Sequence, residues 1–358
     1  MNKLYARIVS GLVRDKILRR KVRSVLLGEE CAPASVNASV ADDFIHVNGI
    51  IDFGEGFKPY FLRNNMPDKI SILKRGLDKR SQENLDLYLQ RMLTIPDNRQ
   101  LQKHYKVSRK YWEEILHTEE EKKLKKKHSS LHDEYQANFW LPGDPPLYVP
   151  VVFLFHHGLR FASQKLKNYI AGKDFIDGGA YIGDSTIMLA KLYDPKKVYA
   201  FEISRINQES FLNVMKNNCI PENKFELVLS GLSDAKKTMR VQDAGTFGVS
   251  AATHGDTKIE LTPLDFFTKE RELNVGFIKA DLEGAGYDAL KGMLETIKKD
   301  KPVLSLSIYH TPEEFFEMKP LLEEAVKELN YKITIQRFCA WLDYLAEITL
   351  FAYPRELE

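Results

Sequence analysis

After residue 150 short apolar runs alternate with stretches of helical period. The runs are "DFIDG" (174–178), "KVYAFE" (197–202), "FELVLSG" (225–231), "VGFIKADLEG" (275–284), "PVLSLSIYH" (302–310), "YKITIQRF" (331–338) and "AEITLFAY" (346–353). Helical periods fit between them at 184–193, 204–219, 262–271, 286–299 and 312–330. Strand and helix in alternation predict a mostly parallel sheet with helices on both faces. Only "CAWLDYL" (339–345) joins the last two runs. That is too short for a helical crossover, so they should pair antiparallel. The pattern predicts an α/β fold with an antiparallel C-terminal strand.

The first 150 residues read differently. "DKRSQENLDLYLQRMLTI" (78–95) is a helix with Leu85, Leu87, Tyr88 and Met92 on its apolar face, stopped by Pro96. Residues 106–131 also read as helical. Within them "EEEKKLKKK" (119–127) is a solvated face whose glutamates and lysines pair along the helix. "VNGIIDFGEGFKPYF" (47–61) reads as loop with short strand pieces. The proline-rich "ANFWLPGDPPLYVP" (137–150) ends this part, since prolines so closely spaced cannot continue a helix or a central strand. The expected organisation is a basic amphipathic helix over 1–30, a mainly helical region over 31–150 and the α/β domain over 151–358.

Charge alters the picture at one end. The net charge of the 358 residues is +2, which argues against a nucleic-acid binder. Residues 1–27 nevertheless carry eight Lys/Arg against the single acid Asp15, beside an apolar stripe through Leu4, Ile8 and Leu12. A helix over 3–27 could lie on the anionic inner face of a membrane, or pack on its own protein. No apolar run reaches the roughly eighteen residues of a membrane span. Cys31, Cys219 and Cys339 show no paired or metal-ligand spacing, consistent with a reducing cytoplasm.

The chemistry collects around "KDFIDGGAYIGDSTIMLAK" (173–191). In open α/β sheets ligands sit at the carboxyl ends of strands, near the point where strand order reverses. Asp177 ends the first strand, Gly179 and Gly183 leave backbone open to a ligand, and Ser185 or Thr186 begins the next helix. A dinucleotide requires G-x-G-x-x-G, and "GGAYIG" lacks the middle glycine. S-adenosylmethionine has no phosphate to cradle and favours a carboxylate near its cationic end. Glu202, closing "VYAFE", stands where an acid accepts from ribose hydroxyls.

"FIDGGAYIGDST", "VYAFE", "LSGLSD" and "IKADLEGAGYDALKGM" follow one another in order, and in them roughly 150–353 resembles the FkbM family of S-adenosylmethionine-dependent methyltransferases. The resemblance implies the Rossmann-like class I methyltransferase fold, with a seven-stranded sheet, and O-methylation, often of sugars or polyketides. It implies that Asp177, Gly179, Tyr181, Gly183 and Thr186 form the cofactor loop, with Tyr181 where the family often has asparagine. It puts Glu202 at the ribose and Ser233 and Asp234 near the adenine, though Asp234 also fits a turn cap. It puts Asp281 and Glu283 beside the methyl group. His310 is kept from the family's glutamate-x-histidine, while the glutamate's place is taken by Ile308. His310 could equally introduce a helix capped by Thr311.

Methyl transfer to oxygen requires an aligned hydroxyl and a base for its proton. Asp281, Glu283 and His310 are the candidate catalytic residues. A divalent ion would suit hard oxygen ligands, but two carboxylates do not make a site, so no metal is assigned. The expected partner is a small-molecule or glycan acceptor, with Phe139, Trp140, Tyr148 and Trp341 either stacking on a sugar or packing inside the protein. The competing functions are an NAD(P)-dependent oxidoreductase and a non-catalytic binding module with the same fold. His156 and His157 read as surface or packing residues rather than ligands.

Overall fold

The computed structural model describes residues 44–47, 57–94, 105–108, 118–241, 243, 255, 257–338 and 347–358. The expected basic helix, Trp341, Cys31 and Cys339 lie outside these residues. The chain divides into two compact units: residues 1–127 with 339–348, and residues 128–338 with 349–358. No described helix is long and apolar enough to cross a membrane.

The first unit is helical over Phe57–Arg63, Met66–Lys74 and Lys79–Thr94. Phe57, Phe61, Met66, Leu85, Tyr88 and Leu89 form its buried core, while Leu87 is only half-buried. Two expectations fail here. Tyr105–Ser108 is a strand, paired antiparallel with Phe44–Val47 some sixty residues away, a partner that local periodicity cannot reveal. The helix proper is Glu119–Ser130, and Glu121 leaves the solvated face. It is 1% exposed and accepts the Thr118 backbone N–H at 2.9 Å, while Thr118 Oγ1 accepts the Glu121 N–H at 3.4 Å. That is a capping box.

The second unit is built on seven strands: β1 Asp174–Gly178, β2 Val198–Phe201, β3 Phe225–Val228, β4 Val275–Ala280, β5 Val303–Ser307, β6 Tyr331–Phe338 and β7 Glu347–Pro354. Their order is β6-β7-β5-β4-β1-β2-β3. The pairs β1/β2, β1/β4, β2/β3 and β4/β5 are parallel, and β7 runs antiparallel to β5. The fold is thus the expected α/β class, down to the antiparallel final strand. Every residue of β1 and β4 is buried, as strands covered on both faces must be. Phe175 and Phe277 face each other across β1 and β4, ring centroids 5.6 Å apart and edge-on, an arrangement worth about 0.5–1.5 kcal/mol beyond burial.

The helices are α1 Asp184–Leu192, α2 Arg205–Asn217, α3 Leu264–Glu270, α4 Gly286–Lys291, α5 Leu294–Asp300 and α6 Pro312–Val326. The single helix expected over 286–299 is two, α4 and α5. A Cβ on Gly292 would come within 2.0 Å of the Ser233 carbonyl oxygen, so the chain breaks where it passes closest to its neighbour. Gly231–Leu232, Thr257–Thr262 and Lys237–Val241 form a small side sheet. Strand order reverses beside β1, where β2 lies on one side and β4 on the other. The carboxyl ends of these three strands therefore border the crevice.

The first turn of α5 has no side-chain cap of its own. Asp265 on α3 serves instead, its Oδ1 accepting the Thr296 N–H at 2.7 Å and its Oδ2 the Glu295 N–H at 3.1 Å. Asp265→Ala should lower stability by about 1–2 kcal/mol in a urea titration, as loss of an N-cap does. An unchanged midpoint would show that water replaces this cap without penalty.

Candidate active site

The site begins with an ion pair inside the sheet. Asp177 and Lys279 are register partners on β1 and β4, and their side chains are 0% and 4% exposed. Lys279 Nζ lies 3.1 Å from Asp177 Oδ1 and donates to the Gly179 carbonyl at 2.7 Å. Thr186 on α1 donates its hydroxyl to Asp177 Oδ2 at 2.7 Å. Burial works to strip the Lys279 proton, but Asp177, Asp281 and Asp184 outweigh it and hold the ammonium above its ordinary pKa. A lysine within an otherwise apolar strand was the sequence signal for this group, and it went unread.

The glycines of the bend are required by close approach of the protein itself. Gly179 has φ +75°, and a Cβ there would sit 2.0 Å from the Asp281 carbonyl oxygen. Gly183 has φ +91°, and its Cβ would meet Met215 and Phe211 of α2. Both make room for neighbouring protein. Tyr181 lies between them at φ +49°, a left-handed conformation that favours asparagine among non-glycine residues. Its N–H donates to Glu202 Oε2 at 2.8 Å. Glu202 Oε1 accepts the Ser204 N–H at 2.7 Å, so this acid at the end of β2 also latches the bend. Burial raises its pKa against these hydrogen bonds.

Asp184 opens α1, and burial lifts its carboxyl to about 6 despite the pull of Lys279. An acid in the first turn after a left-handed glycine was its overlooked signal. Ser185 is buried, its hydroxyl 2.8 Å from His157 Nε2, and burial holds His157 well below its ordinary pKa. His156 Nδ1 contacts the Tyr193 hydroxyl at 2.7 Å. Both histidines are packing residues. Ser233 is buried and donates to Asp234 Oδ1 at 3.0 Å. Asp234 itself is exposed, where a hydrogen bond from Lys237 and then Ser233 bring its pKa down to about 2. Lys291 stands 3.8 Å away on its other side.

At the end of β4 the chain makes two left-handed steps, Glu283 at φ +50° and Gly284 at φ +100°. This turn brings Asp281 and Glu283 to His310, which follows β5. His310 Nε2 lies 3.2 Å from Asp281 Oδ1 and 3.6 Å from Glu283 Oε2. Its Nδ1 lies 3.2 Å from Oε2 of Glu314 on α6. Burial opposes its charge, but Glu314, Asp281 and Glu283 together raise its pKa to about 9. Tyr309 stacks on the His310 ring at 4.0 Å between centroids and donates to Asp281 Oδ1 at 3.3 Å. Glu283 keeps 37% of its side chain exposed, yet the protein around its carboxyl raises its pKa to about 7, partly offset by His310. Ile308 is fully buried and makes no polar contribution. Thr311 caps α6 through the Glu314 N–H at 3.1 Å, as the alternative reading of His310 anticipated. Glu314 was not foreseen as part of the site, although Thr-x-x-Glu at a helix start is a visible capping box.

These groups lie together at the carboxyl ends of β1, β2, β4 and β5. Asp184, Glu202, Asp281 and Glu283 give the crevice an acidic lining that suits a cationic sulfonium and ammonium. Among the described residues no group of three or more His, Cys, Asp or Glu is arranged to hold a metal ion. Phe139 and Tyr148 pack in an aromatic cluster with Tyr135 and Phe153, which leaves Trp140 as the exposed one of the described aromatic candidates.

Residues 177–333 match the family model of the methyltransferase FkbM domain. The structure of methyltransferase FkbM from Methylobacillus flagellatus KT superposes with a TM-score of 0.52 at 18% identity, over 85% of this chain and 63% of that one. The chain thus spans less than two thirds of that relative's length. Two further solved structures align more loosely. An O-methyltransferase from Bacillus cereus in complex with SAH has a TM-score of 0.37 at 12% identity, over 69% of this chain and 96% of its own. An rRNA methylase from Streptococcus thermophilus has a TM-score of 0.35 at 14% identity, over 58% and 99%. No curated protein matches the sequence.

Within the matched segment His310 links the site to stability. Its pKa is raised above the ordinary 6.5, so its charge stabilises the fold fully below that pH and the benefit is lost as pH rises through about 9. Glu283, also raised, contributes the same downward slope between 4.5 and about 7. Tm should therefore fall from pH 6.5 to 9, and His310→Gln should flatten that fall. Equal slopes in the two proteins would exclude His310 as the source.

Proposed function

We propose that the chain is an S-adenosylmethionine-dependent O-methyltransferase acting on a hydroxyl of a sugar or glycan. The observation that carries this reading is Glu283, an accessible carboxyl with a pKa of about 7 in the loop after β4, 3.6 Å from His310. A base matched to neutral pH is what removal of a hydroxyl proton requires. The FkbM domain supports methyl transfer as the chemistry. The sugar acceptor rests on the resemblance of the motifs to that family, with exposed Trp140 the described aromatic able to stack.

The residues fit the cofactor by their chemistry. Glu202 retains acceptor capacity beyond its two backbone hydrogen bonds and would take the ribose hydroxyls. Asp184 and Asp281 would face the cationic end. When bound, S-adenosylmethionine supplies a methyl group on a positively charged sulfur. Glu283 accepts the proton of the incoming hydroxyl. His310, charged and buried, cannot serve as the base at neutral pH. It steadies Asp281 and moderates Glu283 instead. Thr186 acts by orienting Asp177, and Lys279 by fixing the bend through the Gly179 carbonyl. An oxidoreductase is disfavoured by the missing middle glycine of the loop and by antiparallel β7, and a binding module has no use for a carboxyl tuned to neutrality.

Calorimetry with S-adenosylhomocysteine should show affinity falling at least about tenfold in Glu202→Ala, with two charge-assisted hydrogen bonds lost. Glu283→Gln should keep that affinity within about threefold. Its turnover on a panel of saccharides should fall by about two to four orders of magnitude, and the rise of kcat through pH 7 should vanish. Full turnover in that variant would exclude Glu283 as the base. No binding of S-adenosylhomocysteine by the wild type would overturn the whole reading.

We extend the proposal to location. The basic segment 3–27 would bring the enzyme to glycans at the inner face of a membrane, each Lys or Arg contributing about 1 kcal/mol near anionic lipid. Full-length protein should float with anionic vesicles, and protein beginning at Ala32 should not while keeping its Tm. Failure of the full-length protein to float would exclude the attachment.

A further inference from the structure

One carboxylate at the site has no solvent contact and more than one partner. Glu314 is 0% exposed. Its Oε1 accepts the Gly286 N–H at 2.8 Å, just beyond the loop that carries Asp281 and Glu283. Its Oε2 accepts the His310 backbone N–H at 3.2 Å and stands 3.2 Å from the His310 Nδ1. Its own N–H is held by Thr311 Oγ1, so the first turn of α6 fixes where the side chain starts. Gly286 completes the fit, since a Cβ there would lie 2.7 Å from Glu314 Oε1.

We propose that Glu314 is the positioning residue of this site: it clamps the loop after β4 to the loop after β5 and, through His310, determines how Glu283 receives the acceptor's proton. The choice of reaction rests on the methyltransferase reading above, and the clamp rests on the geometry. With Nδ1–H directed to Glu314, His310 has one ring orientation, and its Nε2 is presented to Asp281 and Glu283. The groups facing the imidazole are Glu314 from α6, Asp281 and Glu283 from the β4 loop, and Tyr309, which stacks on it. Glu314 is the one of these acids that water does not reach, so its charge acts on the ring with the least screening. Loss of that charge leaves His310 easier to deprotonate. A neutral His310 no longer assists the ionised form of Glu283, and the base is set to a higher pH.

The test separates the clamp from the chemistry. In unliganded protein, NMR titration of labelled histidine and glutamate side chains should show His310 losing at least about tenfold in proton affinity in Glu314→Gln, with the Glu283 midpoint moving upward. Gly286→Ala, which crowds Oε1 without altering a charge, should move both midpoints the same way by a smaller factor. It also keeps the test decisive if Glu314→Gln fails to fold. With an acceptor in hand, Glu314→Gln should shift the kcat limb to higher pH while the S-adenosylhomocysteine Kd stays within about threefold. Unchanged His310 and Glu283 midpoints in either folded variant would overturn the proposal. So would a lowered Tm accompanied by an unmoved pH–rate profile, which marks a purely structural residue. The titrations need no turnover, so they decide the clamp even if no methyl transfer is found.

Discussion

An ammonium and a carboxylate meet inside the sheet, on adjacent central strands, and the surrounding site is organised by keeping both charged. Removing Lys279 and Asp177 from water is costly, and their attraction offsets that cost only where the remaining hydrogen-bonding positions are filled. Thr186 supplies one partner to Asp177, and the Gly179 carbonyl takes one proton from Lys279. Those contacts draw in the start of α1 and the bend after β1. The bend lies so close to the β4 loop that glycine alone fits at 179. The position of Asp281 at the site follows from the same close approach.

The acids around this pair are chemically alike but diverge in behaviour. Asp234, exposed between lysines, is held strongly acidic, whereas Asp184 and Glu283 are pushed toward neutrality by the protein around them. His310 moves the opposite way from His157, although both are buried. His310 faces three carboxylates, whereas His157 faces a serine hydroxyl and the field of Lys279. Neighbouring groups driven apart in this way give one crevice carboxyls near neutrality, a fixed cation and a strong acid at a single pH.

The sheet was legible because each of its strands is a short apolar run bounded by turn residues, and the short "CAWLDYL" link implied an antiparallel last strand. Tyr105–Ser108 was not legible, because its pairing partner is remote. Nor was the break at Gly292, which answers to the backbone of Ser233. At the site, Asp177 and Glu202 could be named from their places at strand ends, and Asp281, Glu283 and His310 from the resemblance of their motifs to the FkbM family. Lys279 and Glu314 escaped notice because their importance lies in what they touch. The lysine is one charge in a buried strand, and the glutamate passes for an ordinary first-turn acid until Gly286 and His310 are seen against it. The glycines of the bend stood out in the sequence, but what the sequence could not show is the close approach of the Asp281 carbonyl to Gly179 and of α2 to Gly183.

The place of β7 has a consequence for the order of assembly. It is the last strand in sequence, yet it lies between β5 and β6. As the chain lengthens, β6 emerges with no neighbour in the sheet to pair with, and β5 presents an open edge. Neither is completed until residues 347–354 are available. The site residues described above are already synthesised by then, at the carboxyl ends of β1, β2, β4 and β5 and at the start of α1. The nascent site is thus bordered by an unpaired hydrogen-bonding edge for the length of some forty residues of translation, the condition under which strands find wrong partners. Closure by a distant segment ties the integrity of the candidate site to the arrival of a strand that contributes none of the site residues described above.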